Sequence, residues 1–343
     1  MTSLFRSAAL YFAATCFLHA MPHTAVASEP TKVSVAQASL SFNFIPMYVA
    51  QGRGFFKDEG LDLAVSMAGG GPAAVSALLS GGADLALFST SDAVNVLRRG
   101  NASLRGIAVT MNGIPAALTI SRGAADRIKI TPDAPLEQRK AALKGLSLAI
   151  QAAGGIEDFI IRAIALSSGI NPDRDIRMTP VSDFQAVLAG VKMGRVDGCI
   201  CPPPSDTILQ RESGAIPLIV PERDLPQTRD MHLSLIFTTQ KYADANPQVL
   251  EKVVRAVARA EKLIADEPEV AKALTRKFFE RMDDKSFDAA WTSALPQIPR
   301  NPIPTVKGFE VLHNFQKLVG FAPQTETLDF ATMAASRYAG KDN

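Results

Sequence analysis

The 343-residue chain states one local plan twice. In Ala73–Leu87, and again in Ala186–Ile200, an apolar helix end runs into a Gly-x-x-Asp turn and then a strand of buried character. The Gly and Asp of the two turns are Gly81 with Asp84 and Gly194 with Asp197. A polar or proline loop opens five residues past each Asp, at Ser89-Thr90-Ser91 and at Pro202-Pro203-Pro204. A helix–turn–strand unit used twice predicts two similar α/β lobes. Facing α/β lobes leave a cleft at their strand ends, which is where a small ligand binds.

Residues 1–27 read as a secretory signal. Arg6 supplies the positive charge, Ala8–Ala20 the short apolar run, and Ala25-Val26-Ala27 a small-residue cleavage site. That run is shorter than the ~20 residues a membrane-spanning helix needs. Cleavage after Ala27 gives a soluble, periplasmic chain long enough for two lobes. A formal net charge of +2 offers no argument for nucleic acid or an anionic membrane surface. Cys199 and Cys201 lie two apart in an expected strand. They read as two buried thiols acting as small apolar residues, a strained bridge being the alternative.

Strands are expected at 32–36, 61–65, 104–111, 116–121, 146–150, 176–180, 216–220 and 233–239, besides the two in the repeated units. Helices fall between them, and Pro46 opens one that runs to Phe56. Gly60 and Gly169 close helices, and Asn171-Pro172-Asp173 is a turn. The polar stretches Arg122–Leu136 and Pro221–Arg229 read as the two crossings between lobes. Past Thr239 the chain is mostly helical, with a long helix from Asn246-Pro247. Alternating strands and helices point to parallel-rich sheets covered on both faces.

Several motifs carry a family likeness: Phe55-Phe56-Lys57-Asp58-Glu59-Gly60-Leu61-Asp62-Leu63, then Lys144-Gly145-Leu146-Ser147-Leu148-Ala149 with Gly154-Gly155 and Asp158-Phe159, then Gly169-Ile170-Asn171-Pro172-Asp173, and Gly194-Arg195-Val196-Asp197-Gly198. In this order and spacing the chain resembles the solute-binding proteins of ABC importers. The branch is the one that holds nitrate, sulfonate, taurine and thiamine-precursor binders. The resemblance implies an α/β, two-lobed periplasmic-binding-protein fold (type II, Venus-flytrap) with mixed, mostly parallel sheets and a helical C-terminal part. It implies one lobe from residues 28–121 plus 233–343, another from 122–232, and delivery of the solute to an ABC permease and its ATPase.

Four loops at expected strand ends supply the candidate ligand-binding residues. The first holds Ser41, Phe42, Asn43 and Phe44. Its two phenyl rings could stack on a flat ligand, or one could belong to the core. The second, Ser89, Thr90 and Ser91, offers hydroxyls and free N–H groups for an anion, or simply caps a helix. The third holds Gln151, Gly154 and Gly155, where glycine lets a ligand approach the backbone. Family members often carry Ser or Thr here, and this chain has Ala152, Ala153 and Ile156 instead. The fourth holds Cys201 and Pro202. Asn112 and His232, near the crossings, could reach the cleft or serve a turn and the core.

The residues give no catalytic reading. Some relatives of this architecture are enzymes, including a pyrimidine synthase with a His/Cys-rich iron motif. The chain past residue 27 has only His232 and His313, with no His beside Cys199 and Cys201. No catalytic residue, cofactor or metal ligand is therefore assigned. The reading is a monomeric, non-catalytic receptor for a small organic solute, with an aromatic or anionic ligand as one option. An enzyme of the same fold and a periplasmic sensor are the alternatives.

Overall fold

The computed structural model describes residues 29–181 and 183–334. The expected signal segment and its cleavage site lie outside the described residues. Ten strands form two five-stranded sheets. The first half supplies β1 (Thr31–Gln37), β2 (Leu61–Met67), β3 (Leu85–Ser89), β4 (Leu104–Asn112) and β5 (Ala117–Ile120). The second supplies β6 (Ser147–Ile150), β7 (Arg177–Pro180), β8 (Gly198–Cys201), β9 (Ile216–Ile219) and β10 (His232–Thr239).

The strand order is β2-β1-β3-β10-β4 in one sheet and β7-β6-β8-β5-β9 in the other. The two orders are the same pattern. In each sheet four strands run one way, and the antiparallel one is the strand that arrives from the other sheet, β10 or β5. The sheets are thus mixed and mostly parallel.

The repeated Gly-x-x-Asp motif is the tie inside each sheet. Asp84 accepts a hydrogen bond from the Ser34 amide at 2.8 Å, and Asp197 accepts one from the Ser147 amide at 2.8 Å. Both pairs are 50 residues apart. The return bonds, Asp84 amide to Ser34 carbonyl and Asp197 amide to Ser147 carbonyl, complete each clasp. Gly81 and Gly194 sit at φ +78° and +69°, a turn that a side chain would strain.

The expected position of the first crossing is corrected. β5 pairs with β8 and β9, so the chain changes sheet at Gly113–Ala116, not after Ser121. Residues 117–121 therefore belong with the second sheet. The chain returns after β9 through the short helices Pro221–Asp224 and Pro226–Thr228 to β10. The two crossings touch, with the Gly113 amide on the Met231 carbonyl at 2.8 Å. The helix expected from Pro46 to Phe56 is broken at Gly54, whose φ of +84° splits it into Ile45–Arg53 and Phe55–Asp58.

The long helix Pro247–Asp266 lies over Ile45–Arg53 and Phe55–Asp58, burying Leu250, Val253, Val254, Val257 and Ile264. The helices Asp284–Ala294 and Val306–Leu318 touch elements of both halves: Asp284–Ala294 meets Phe42–Phe44 and Ser205–Ser213, and Val306–Leu318 meets Thr90–Arg98 and Ile156–Ser167. No helix among the described residues is long and apolar enough to cross a membrane.

Candidate functional site

A compact cavity, about 70 Å³, opens between the two sheets. All four loops at the parallel strand ends reach it: Ala38 and Ser39 past β1, Ser89 at the end of β3, Gln151 past β6 and Pro202 past β8. The first crossing adds Ile114, Pro115 and Ala116, and β10 adds Leu233 and Ser234. The lobes are shut over it. The Phe42 amide donates to the Pro203 carbonyl at 3.1 Å, Ser41 Oγ donates to the same carbonyl at 3.4 Å, and Asn95 Nδ2 donates to the Gly154 carbonyl at 2.9 Å.

Of the residues expected at the site, Asn43, Phe44, Ser89, Ser91, Gln151, Gly155 and Pro202 line the cavity. Ser89 caps the helix Thr90–Arg98 by accepting from the Ser91 amide, and the two hydroxyls lie 2.8 Å apart. The cap and the cavity wall are therefore one feature. The Asn43 Oδ1 is buried with no hydrogen-bond partner among the described residues.

The other expected residues are placed elsewhere. Phe42 is fully buried against Phe279 and Phe287, with ring centres 4.6 and 5.3 Å away, so it is core and not a stacking platform. Ser41 closes the lobes and bonds the Asn43 amide. Thr90 is buried behind the cap. Gly154 is a latch and not a wall. At φ +75° its carbonyl takes Asn95, its amide donates to Asp158 Oδ2 at 2.7 Å, and a Cβ would come within 2.5 Å of Phe321.

Asn112 and His232 find each other, with Asn112 Oδ1 2.8 Å from His232 Nδ1. The Thr305 amide donates to His232 Nε2 at 3.0 Å, which leaves the proton on Nδ1 facing Asn112. Burial pushes the imidazole down to about 4, so it stays neutral. Cys201 sits behind the wall in a disulfide with Cys199, their Cα atoms 5.7 Å apart. The expectation of two thiols is corrected: β8 brings the pair inside bridging distance.

Among the lining residues that escaped the sequence reading are two acids. Asp92, in the first turn of Thr90–Arg98, and Glu157, in the first turn of Ile156–Ser167, both face the cavity, one from each lobe. Glu157 is 5% exposed. Desolvation raises both carboxyls to about 7, and for Glu157 the charges of Asp92 and Asp158 add to the rise. Acids in a helix's first turn look like ordinary dipole partners in sequence, which hides them. Glycines make their room: a Cβ on Gly71 would stand 2.1 Å from Asp92 Oδ2, and one on Gly155 would stand 3.2 Å from Glu157 Oε2.

A two-sheet α/β molecule shut over a cavity at its strand ends has the periplasmic-binding-protein fold. The Escherichia coli periplasmic aliphatic sulphonate-binding protein SsuA superposes with a TM-score of 0.67 at 17% identity, covering 91% of this chain and 100% of that one. The Synechocystis PCC 6803 nitrate-binding protein NrtA superposes with a TM-score of 0.68 at 16% identity, covering 90% and 86%. YtlA of Bacillus subtilis (strain 168) is 24% identical over 264 residues, 77% of this chain and 74% of that protein. The sequence matches the NMT1-like family across residues 27–277, and the chain belongs to that family.

Proposed function

We propose that this chain is the extracytoplasmic receptor of an ABC importer, which shuts two lobes around a compact organic solute and presents the closed form to a permease driven by an ATPase. The observation that carries the reading is the cavity at the strand ends, flanked by bonds from one lobe's loops to the other's. A solute that touches both walls binds the shut form better than the open one and shifts the population toward it. Family membership and the sulphonate- and nitrate-binding proteins of the same fold support it. The same reading has the chain exported by a signal cleaved after Ala27 and working as a monomer. The reading gives the chain no catalytic step.

The test joins binding to shape and fate. A solute that raises the melting temperature should also shrink the radius of gyration in X-ray scattering and be recovered chemically unchanged. Consumption of the solute, or binding without compaction, overturns the receptor reading.

A further inference from the structure

Buried carboxylates are normally paired with a cation or a metal, because leaving water is expensive for an uncompensated charge. The cavity breaks that rule at Glu157, and the part-buried Asp92 faces it from the other lobe with no cation beside it among the described residues. No Lys, Arg or His stands among its described lining residues, while Asp92 enters from one lobe and Glu157 from the other. Asp92 takes no hydrogen bond or ion pair from the described residues. Glu157, almost wholly buried, has only its own backbone amide.

Neither acid is accounted for by local structure. Ser89 followed three residues later by Asp92 has the spacing of a capping box, but the box is not made. Ser89 alone does the capping, and the Asp92 carboxyl does not return to the Ser89 amide. The neighbouring Asp158 is the contrasting case, with Arg162 at 2.7 Å and the Gly154 amide at 2.7 Å. The rest of the wall mixes neutral polar groups with an apolar surface from Phe44, Ile114, Ile156, Ile160, Ile200 and Leu233.

We infer that the solute is a compact organic cation, an amine or amidine with an apolar body, whose nitrogen is held between Asp92 and Glu157. This deepens the receptor reading and rests on it. Closure would then be gated by charge. Shutting the empty lobes strips water from two carboxyls that have nothing to meet, and a cation between them removes that penalty only in the shut state. An anion would gain the Ser89 and Ser91 hydroxyls and face both acids.

Two series of equal size and shape, differing only in charge, test this at pH 8: acetamidinium, acetamide and acetate, and guanidinium, urea and nitrate. Binding is read by protein-observed NMR titration at constant ionic strength. The cation of each series should bind about tenfold or more tighter than its neutral partner, the range of a hydrogen bond to a charged group, and the anion weakest. Asp92→Asn and Glu157→Gln should each reduce that preference, and the double variant should abolish it. A neutral or anionic member binding as well as the cation overturns the inference and leaves the receptor reading intact. So does a response to magnesium or calcium chloride without one to acetamidinium. An unchanged preference in the folded double variant, or no binding by any of the six, also overturns it, and the receptor reading then stands or falls on the compaction test alone.

Discussion

The first sheet is covered by one long C-terminal helix, and the second carries a small extra core and a buried ion pair. Over the first, the 20-residue helix Pro247–Asp266 packs its apolar face against Ile45–Arg53 and Phe55–Asp58. Over the second, Asp284–Ala294 and Val306–Leu318 touch the helices Ser205–Ser213 and Ile156–Ser167. Most of its strand residues, such as Leu118, Leu148, Ile200 and Leu218, belong to the core shared with the first, and it adds a small cluster around Val187, Leu188, Val191, Val196 and Leu209 and a buried ion pair. Arg139 grips Asp224 with two bonds, at 2.7 and 3.1 Å, and reaches the carbonyls of Ala134 and Leu218. Burial alone would raise the Asp224 carboxyl, but hydrogen bonds from Arg223 and Arg139 hold it well below the usual carboxylate range. One strand pattern is thus stabilised by apolar burial in both halves, with this buried ion pair added in the second.

The sharpest way to break that comparison is Arg139→Ala. It removes the buried partner of Asp224 and frees two carbonyls, and should cost about 3 kcal/mol, the low end of the range for breaking a buried pair, because Arg223 keeps two bonds to the carboxylate. Denaturant unfolding read by a probe in the second sheet should show the loss. A cost under about 1 kcal/mol would mean the pair is not the second half's brace.

Next in size is a pH effect shared by both halves. Asp92, from the first, and Glu157 and Asp206, from the second, have carboxyls raised to about 7 by burial. An acid whose folded value lies above its unfolded one binds more protons folded than unfolded. Its stabilisation is complete below the unfolded value near 4 and is lost as pH rises through 7. His232 works the other way, held down to about 4, but its penalty appears only as pH falls below its unfolded value of about 6.5. Between pH 6.5 and 8 the acids outweigh the imidazole, and the empty protein should lose about 2 kcal/mol. Asp92→Asn and Glu157→Gln should flatten the slope in thermal scans by similar amounts, one acid per lobe. A slope of the opposite sign would show that the carboxyls are ionised in the folded state.

What the sequence showed and hid follows the same division between local and remote causes. The doubled unit was legible because Gly81, Gly194, Asp84 and Asp197 mark turns whose geometry a few neighbouring residues determine. All ten strands were legible for a similar reason, as short apolar runs between turn residues. The sheet that β5 joins was not. A strand buried on both faces carries no local sign of its partners, and only pairing with β8 and β9, about 80 residues or more away, places it in the second sheet. One of the two loop aromatics failed likewise. Phe42 and Phe44 share one 3-10 turn, and what sends Phe42 into the core is Phe279 and Phe287, far along the chain. His232 and Asn112 looked free because their partner was each other, 120 residues apart.

The smallest difference lies within the repeated clasp itself. Each Asp holds a serine amide, but its further partner differs. Asp84 also accepts from Ser34 Oγ at 2.6 Å in a part-buried position. The equivalent Ser147 Oγ is buried without a partner among the described residues, and Asp197 instead pairs with Arg127 at 2.8 Å, whose side chain is 56% exposed. A hydroxyl bond to a carboxylate that is shielded from water should be worth more than an ion pair with one partner in solvent. Ser34→Ala should therefore cost about 1.5 kcal/mol and be indifferent to salt. Arg127→Ala should cost about 0.5 kcal/mol or less, and the cost should vanish at high ionic strength, where exposed charges are screened. Equal costs for the two, or a salt-dependent Ser34→Ala, would show that the two clasps are held by the same physics despite their different partners.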